Sequence, residues 1–183
     1  MLSRRRLLIG ATVTAAAVAG PPVAVHALAA REPWHFPVSD EIVAWLKANS
    51  VPLATTEPGS RPDDLEFLRP AVKNARIVSL GEATHATHEF SQLRHRVIEY
   101  CVTELGFTMI AVEDNYGQVF QVNDYVLHGK GSAAEAVAAM GLWMWKTEEF
   151  VALVERMRAW NVANARKMKF YGIDMQGCIL EGR

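Results

Sequence analysis

The sequence predicts an α/β fold in which a parallel β-sheet is flanked by helices in the order βαβαβ. Two observations carry this. Three short, almost continuously apolar runs, Arg76–Glu82, Phe107–Glu113 and Lys169–Asp174, have the length and composition of strands buried on both faces. Between them lie segments with helical spacing of apolar residues, the kind of crossover that parallel strands require.

The elements follow in chain order. Residues 1–29 read as an export signal: Ser3, Arg4, Arg5 and Arg6 precede a short Ala-rich apolar run, Gly20-Pro21-Pro22 and the small-residue site Ala27-Leu28-Ala29. The arginines after a serine have the look of a twin-arginine address, which makes the export machinery a partner and places the protein in the periplasm or outside the cell. The apolar run is too short for a stable membrane span. Ser39–Ala48 fits an amphipathic helix with Ser39 as N-cap and Ile42, Val43, Trp45 and Leu46 as its apolar residues. Pro52, Pro58, Gly59 and Pro62 make residues 51–64 a loop, and Leu65–Val72 a short helix after it. The regular part runs as strand 76–82, helix 87–105, strand 107–113, helical pieces 117–127, 133–140 and 147–164, and strand 169–174. The chain thus divides into the signal (1–29), an N-terminal helix with a Pro-rich segment (30–75) and the α/β domain (76–183).

Composition excludes several classes of function. With 50% hydrophobic and 21% charged residues, the 183-residue chain has the make-up of a globular protein and not of a disordered one. A formal net charge of −1 provides no basic surface for sequence-independent nucleic-acid binding. Removing residues 1–29 takes away three arginines and no acid, leaving 16 basic and 20 acidic residues. Two cysteines build neither a disulfide scaffold nor a four-thiolate zinc site. An oxidising compartment would let Cys101 and Cys178 pair, but Cys101 lies in an apolar helical stripe and reads rather as a buried small hydrophobe.

The candidate site lies where open α/β sheets bind ligands, beyond the carboxyl ends of the strands. All three expected strands end in an acid, Glu82, Glu113 and Asp174, and His85 follows three residues after Glu82. A single acid there is ordinarily a helix cap or a solvated loop residue. Three in register beside a histidine suggest a site. On the helix that follows, Leu93, Val97, Ile98, Cys101, Val102 and Leu105 share one apolar arc, and Arg94 falls in its middle. A guanidinium on that side either pairs with Glu82 and Glu113 or passes the core to reach water; the cost of an unpaired buried charge favours pairing. Gln92, Glu99 and Thr103 are expected on the solvated face, and His95 and His128 at the surface. His85 and His88 have an H-x-x-H spacing, but His88 lies off the Arg94 arc, so no metal site and no cofactor is expected. Trp143, Trp145 and Phe150 either floor a pocket for an apolar ligand or, as such residues more often do, pack the core.

Val78-Ser-Leu-Gly-Glu-Ala-Thr-His85, then His88-Glu-Phe, Leu93-Arg-His-Arg, Glu104-Leu-Gly-Phe and Val112-Glu113, resemble the N-terminal half of the erythromycin esterase family. Val122-Asn-Asp-Tyr-Val, Gly141-Leu-Trp-Met-Trp, Thr147-Glu-Glu and Phe170-Tyr-Gly-Ile-Asp-Met-Gln176 continue the likeness in the same order. The resemblance implies hydrolysis of a macrolide lactone ester, with His85 as the base that activates water and Glu82, Arg94 and Glu113 as the charged network around it. Asp174, Trp143 and Trp145 are the candidates for contact with the substrate. Histidine suits the role because its ordinary pKa lies near the working pH. No Gly-x-Ser-x-Gly elbow is present, so no serine nucleophile is expected.

Members of that family are longer, and their second half brings a further catalytic histidine and much of the substrate pocket. The resemblance therefore implies that residues 76–183 form the incomplete first half of a larger three-layer αβα fold, in a chain that reads as truncated, so that activity is expected of the intact protein with its second half. Two other readings remain at this stage. One is a hydrolase of another ester or lactone on the same fold. Another is an exported, non-catalytic domain that binds a metal or a flat ligand.

Overall fold

A computed structural model describes residues 39–175, and the expected export signal lies outside them. The chain forms two separate units, one up to Val51 and one from Pro52 onward. In the first, helix α1 (Asp40–Asn49) starts as its sequence predicts: the Ser39 hydroxyl accepts the Ile42 N–H at 3.3 Å. Ile42, Trp45 and Leu46 on this helix are exposed.

The second unit opens with the Pro-rich segment, a 3-10 helix at Asp63–Leu68 and the single turn α2 (Arg69–Val72). Helix α3 (His88–Thr103) leads to strand β1 (Met109–Asn115), and the crossover to strand β2 (Lys169–Asp174) runs through α4 (Phe120–His128), α5 (Ala133–Ala138), a 3-10 turn at Trp143–Trp145 and α6 (Glu148–Ala163). β1 and β2 pair in parallel, Met109 opposite Lys169 through Val112 opposite Gly172, with the register slipping between Val112 and Asn115 so that Asn115 faces Asp174. The slip explains Gly172. A Cβ there would stand 2.4 Å from the Asp114 carbonyl oxygen and 2.7 Å from that of Asn115, backbone atoms that cannot yield as a side chain would.

The α/β class with a parallel sheet and flanking helices is as the sequence predicts, but three expectations are corrected. Arg76–Glu82 is not a strand. Among the described residues it has no neighbour in the sheet, and Ile77 is 82% exposed, because a strand exists only where another backbone takes its N–H and C=O groups. The second strand lies two residues later than expected, which moves Glu113 from the strand end to its interior. The sheet is also covered on one face only among the described residues: Ile110, Val112, Phe170 and Gly172 are buried, whereas Met109, Ala111, Glu113 and Ile173 are exposed.

The core lies between the covered face and helices α4 to α6, around Val122, Val126, Val154, Met157, Trp145, Phe150 and Phe170. Asn161, 2% exposed, serves the entry to β2: its amide donates to the carbonyls of Val126 and Met168, and its oxygen accepts the Met168 N–H at 2.6 Å. One buried amide thus satisfies three backbone groups. Local signals end and start the helices here. Gly129 takes a left-handed conformation (φ 71°) after α4, and a capping box between Ser132 and Glu135 opens α5.

Helix α3 is buried differently from its apolar pattern. The Pro-rich segment lies along its polar side, where Gly59 N–H donates to Glu99 at 2.6 Å, Thr56 and Glu57 bond Gln92, and Arg96 donates to the carbonyls of Thr55 and Arg61 and to Asp64. Hydrogen bonds from Arg96 and from the Ala54 N–H hold the Asp64 carboxyl down to about 2. Gln92, His95 and Arg96 are consequently buried, while Leu93, Val97 and Ile98 of the predicted apolar arc are only half-buried. The surface placement of Gln92 and His95 is therefore corrected. Cys101 is a buried free thiol, pushed up in pKa by that burial, and Cys178 lies outside the described residues.

Candidate active site

The site is assembled on the segment that enters α3. Residues 83–87 make a tight turn in which Ala86 has φ 56°, a left-handed conformation that costs a residue with a Cβ about 1 kcal/mol or more. Glu82 stands before the turn, His85 in it and Arg94 two turns into the helix. Their side chains meet on one carboxylate: Glu82 Oε2 lies 2.6 Å from His85 Nδ1, and Glu82 Oε1 accepts from an Arg94 guanidinium nitrogen, also at 2.6 Å.

The electrostatics follow from that bridge. Burial pushes the Glu82 carboxyl up, but hydrogen bonds from Arg94 and His85 together outweigh it, and the net shift is downward. An ionised carboxylate only accepts, so His85 Nδ1 carries the proton of that bond and Nε2 is left outside it. A lowered carboxyl contributes stability above the usual carboxylate range, and loses it as the pH falls through the folded value. Arg94 is only 14% exposed, and its other face lies 5.4 Å over the Trp145 ring. The guanidinium is thus held by a charge on one side and an aromatic face on the other.

Trp143 and Trp145 divide the two roles that the sequence leaves open. Trp145 is core: it is 7% exposed, stacks obliquely on Phe150 at 5.2 Å, and its indole N–H donates to the Glu113 carbonyl oxygen. Trp143 is 67% exposed and stands edge-on to the His85 ring, 6.1 Å between centroids.

The expected Glu113 arm of the network does not form. Its side chain is on the uncovered face of β1, and among the described residues its carboxylate joins neither Arg94 nor Glu82. The neighbouring acid Asp114 is the buried one, at 1% exposure. It accepts the N–H groups of Asn115 at 2.7 Å, Gly141 at 3.0 Å and Leu142 at 3.3 Å, and so fixes the turn that launches Trp143 and Trp145. Gly141 is required there, since a Cβ would sit 2.7 Å from Asp114 and closer still to Gln118. Sequence reading passes over Asp114, although strand alternation from Ile110 and Val112 points it inward. Asp174 is half-buried at the end of β2, opposite Asn115.

His88 does not converge with His85. Its Nδ1 bonds the Glu149 carboxylate at the start of α6, which raises the His88 pKa and lowers that of Glu149. No cluster of three or more His, Cys, Asp or Glu side chains suited to a metal occurs among the described residues.

Comparison with known proteins bears on the family and the fold. The erythromycin esterase family profile matches residues 102–180. The chain is 30% identical over 131 residues to an erythromycin esterase type II of Escherichia coli, a match covering 72% of this chain and 31% of that protein. A protein of Bacillus cereus with a known crystal structure superposes with a TM-score of 0.70 and 35% identity over 76% of this chain and 34% of its own. The erythromycin esterase EreC, solved as a mutant in its open conformation, gives a TM-score of 0.53 and 26% identity over 64% of this chain and 28% of its own. In each case the match spans about a third of the relative's length. Sequence motifs, fold and these likenesses agree, and the chain belongs, as a partial representative, to the erythromycin esterase-like family.

Proposed function

We propose that this chain carries the water-activating part of an ester hydrolase, with a macrolide lactone as its substrate. The observation that carries the reading is the single carboxylate of Glu82, bonded at once to His85 Nδ1 and to Arg94. Water is a poor nucleophile at neutral pH. His85 Nε2 removes a proton from it as its oxygen attacks the carbonyl carbon, and Glu82 stabilises the imidazolium that forms. Arg94 keeps Glu82 ionised throughout. The proton on Nε2 then passes to the departing alkoxide, so that one water is consumed and an acid and an alcohol result. The exposed ring of Trp143 offers an apolar wall beside the base for the non-reacting body of the substrate. Glu113 and Asp174 stand near the carboxyl ends of the paired strands, on the side where polar groups of that substrate would meet them. The signal-like pattern of residues 1–29 supports a place outside the cytoplasm for this chemistry.

The test is turnover by the full-length protein of a macrolide lactone and of simple aryl esters, with the mass of the intact protein recorded during the reaction. Ring-opened hydroxy acid with no acyl adduct on the protein is expected. Cleavage of aryl esters alone would move the substrate to another ester. No hydrolysis of either, or an accumulating acyl-protein, would overturn the reading.

A further inference from the structure

His88 breaks a local rule. It occupies the first position of α3, where the positive end of the helix disfavours a cation, yet its pairing with Glu149 favours the charged imidazole. Thr87, in the N-cap position, makes no capping bond; its hydroxyl bonds that of Thr84 across the Ala86 turn instead. Glu149 is well fixed for a partner. It lies in the first turn of α6, where a carboxylate is favoured, and besides His88 its own backbone N–H and the Thr147 hydroxyl bond it. The pair spans two elements 61 residues apart in sequence.

The geometry forms a closed ring of contacts around the strained turn. From His88 it passes to Glu149 and along the start of α6 to Phe150, which packs on Trp145. Trp145 underlies Arg94, Arg94 holds Glu82, and Glu82 holds His85, three residues before His88. Ala86 lies inside this ring, and a left-handed alanine persists only where its surroundings over-determine it.

We infer that His88 and Glu149 are positioning residues: their ion pair staples the start of α3 to the start of α6 and so holds the Ala86 turn in the form that presents His85. This rests on the reading of His85 as the base. The other charges facing His88 are Glu89 on its own helix and Glu57 of the Pro-rich segment, both acidic, so every charged neighbour favours the imidazolium. A raised histidine pKa contributes while the ring is charged and fades as the pH rises through the folded value. The staple is therefore strongest between the lowered Glu149 value and the ordinary histidine value, and weakens as the pH rises through the raised value of His88.

The experiment compares the full-length protein with Glu149→Gln and His88→Gln, using His85→Ala as a control. In Glu149→Gln, kcat for ester hydrolysis is expected to fall about tenfold near neutral pH with KM within about twofold, an effect of the size that release of one strained turn allows. The part of the wild-type kcat profile that falls as the pH rises through the raised His88 value is expected to vanish in the variant. Ring-nitrogen NMR gives a readout independent of turnover. His85 is expected to hold a single tautomer protonated at Nδ1 in the wild type and to show exchange between tautomers in both Gln variants. An unchanged His85 spectrum and an unchanged kcat profile in Glu149→Gln would overturn the staple while leaving the base reading intact. Turnover retained in His85→Ala would instead overturn the base reading, and the His85 spectrum would still decide the staple.

Discussion

Replacing His85 by alanine is expected to lower ester turnover by about a thousandfold, within the range that loss of a positioned general base costs. The fold survives. His85 is 53% exposed in its side chain, and its removal leaves Glu82 still bonded to Arg94, so no buried charge loses its last partner. Steady-state kinetics on a soluble aryl ester and a thermal melt check the two halves of this statement. KM is expected to change little, because the imidazole works on the attacking water and not on the body of the substrate. A variant that melts far below the wild type would show that the turn needs the His85–Glu82 bond for stability as well.

The second large effect is structural and lies at Asp114. Asp114→Ala strips the acceptor from three N–H groups, those of Asn115, Gly141 and Leu142, around a side chain that is 1% exposed. Removing the acceptor of one buried and two part-buried donors costs about 3 kcal/mol in total, equivalent to a fall in melting temperature of about 10 °C for a domain of this size. Asp114→Asn keeps one acceptor oxygen and the volume, and is expected to lose less than half as much. The consequence reaches the site, because the turn at Gly141 and Leu142 sets the position of Trp143 against His85 and of Trp145 beneath Arg94. Differential scanning calorimetry measures the loss. A melting temperature unchanged in Asp114→Ala would show that the turn is held by other contacts.

These two residues also mark how far the sequence could be read. The parallel βαβ unit was legible, because Lys169–Asp174 is an apolar run of strand length and the helices before it carry their own caps, as at Ser132 and Thr147. Arg94 was legible for an energetic reason: a guanidinium in an apolar arc must find a carboxylate, and Glu82 is at the near end of the same segment. Glu113 was misplaced because strand ends are poorly marked in sequence. With the strand running on to Asn115, alternation turns Glu113 outward and Asp114 inward. The polar face of α3 was misread because its cover comes from residues 52–64, themselves polar and rich in proline, which match Gln92, Arg96 and Glu99 by hydrogen bonds and not by apolar contact. No periodicity announces such a partner. Residues 76–82 show the converse: their composition is that of a strand, but strand formation is a property of two segments, and the described residues supply only one.

In the proposed mechanism Glu82 and His85 act as one unit, the carboxylate working only through the imidazole that it orients. A double-mutant cycle on ester hydrolysis tests this most directly, using Glu82→Gln, His85→Ala and the two combined. Glu82→Gln alone is expected to lower kcat by about a hundredfold, and the double variant to be no slower than His85→Ala. A double variant in which the two losses multiply would show that Glu82 acts independently of His85, and would overturn the coupled unit.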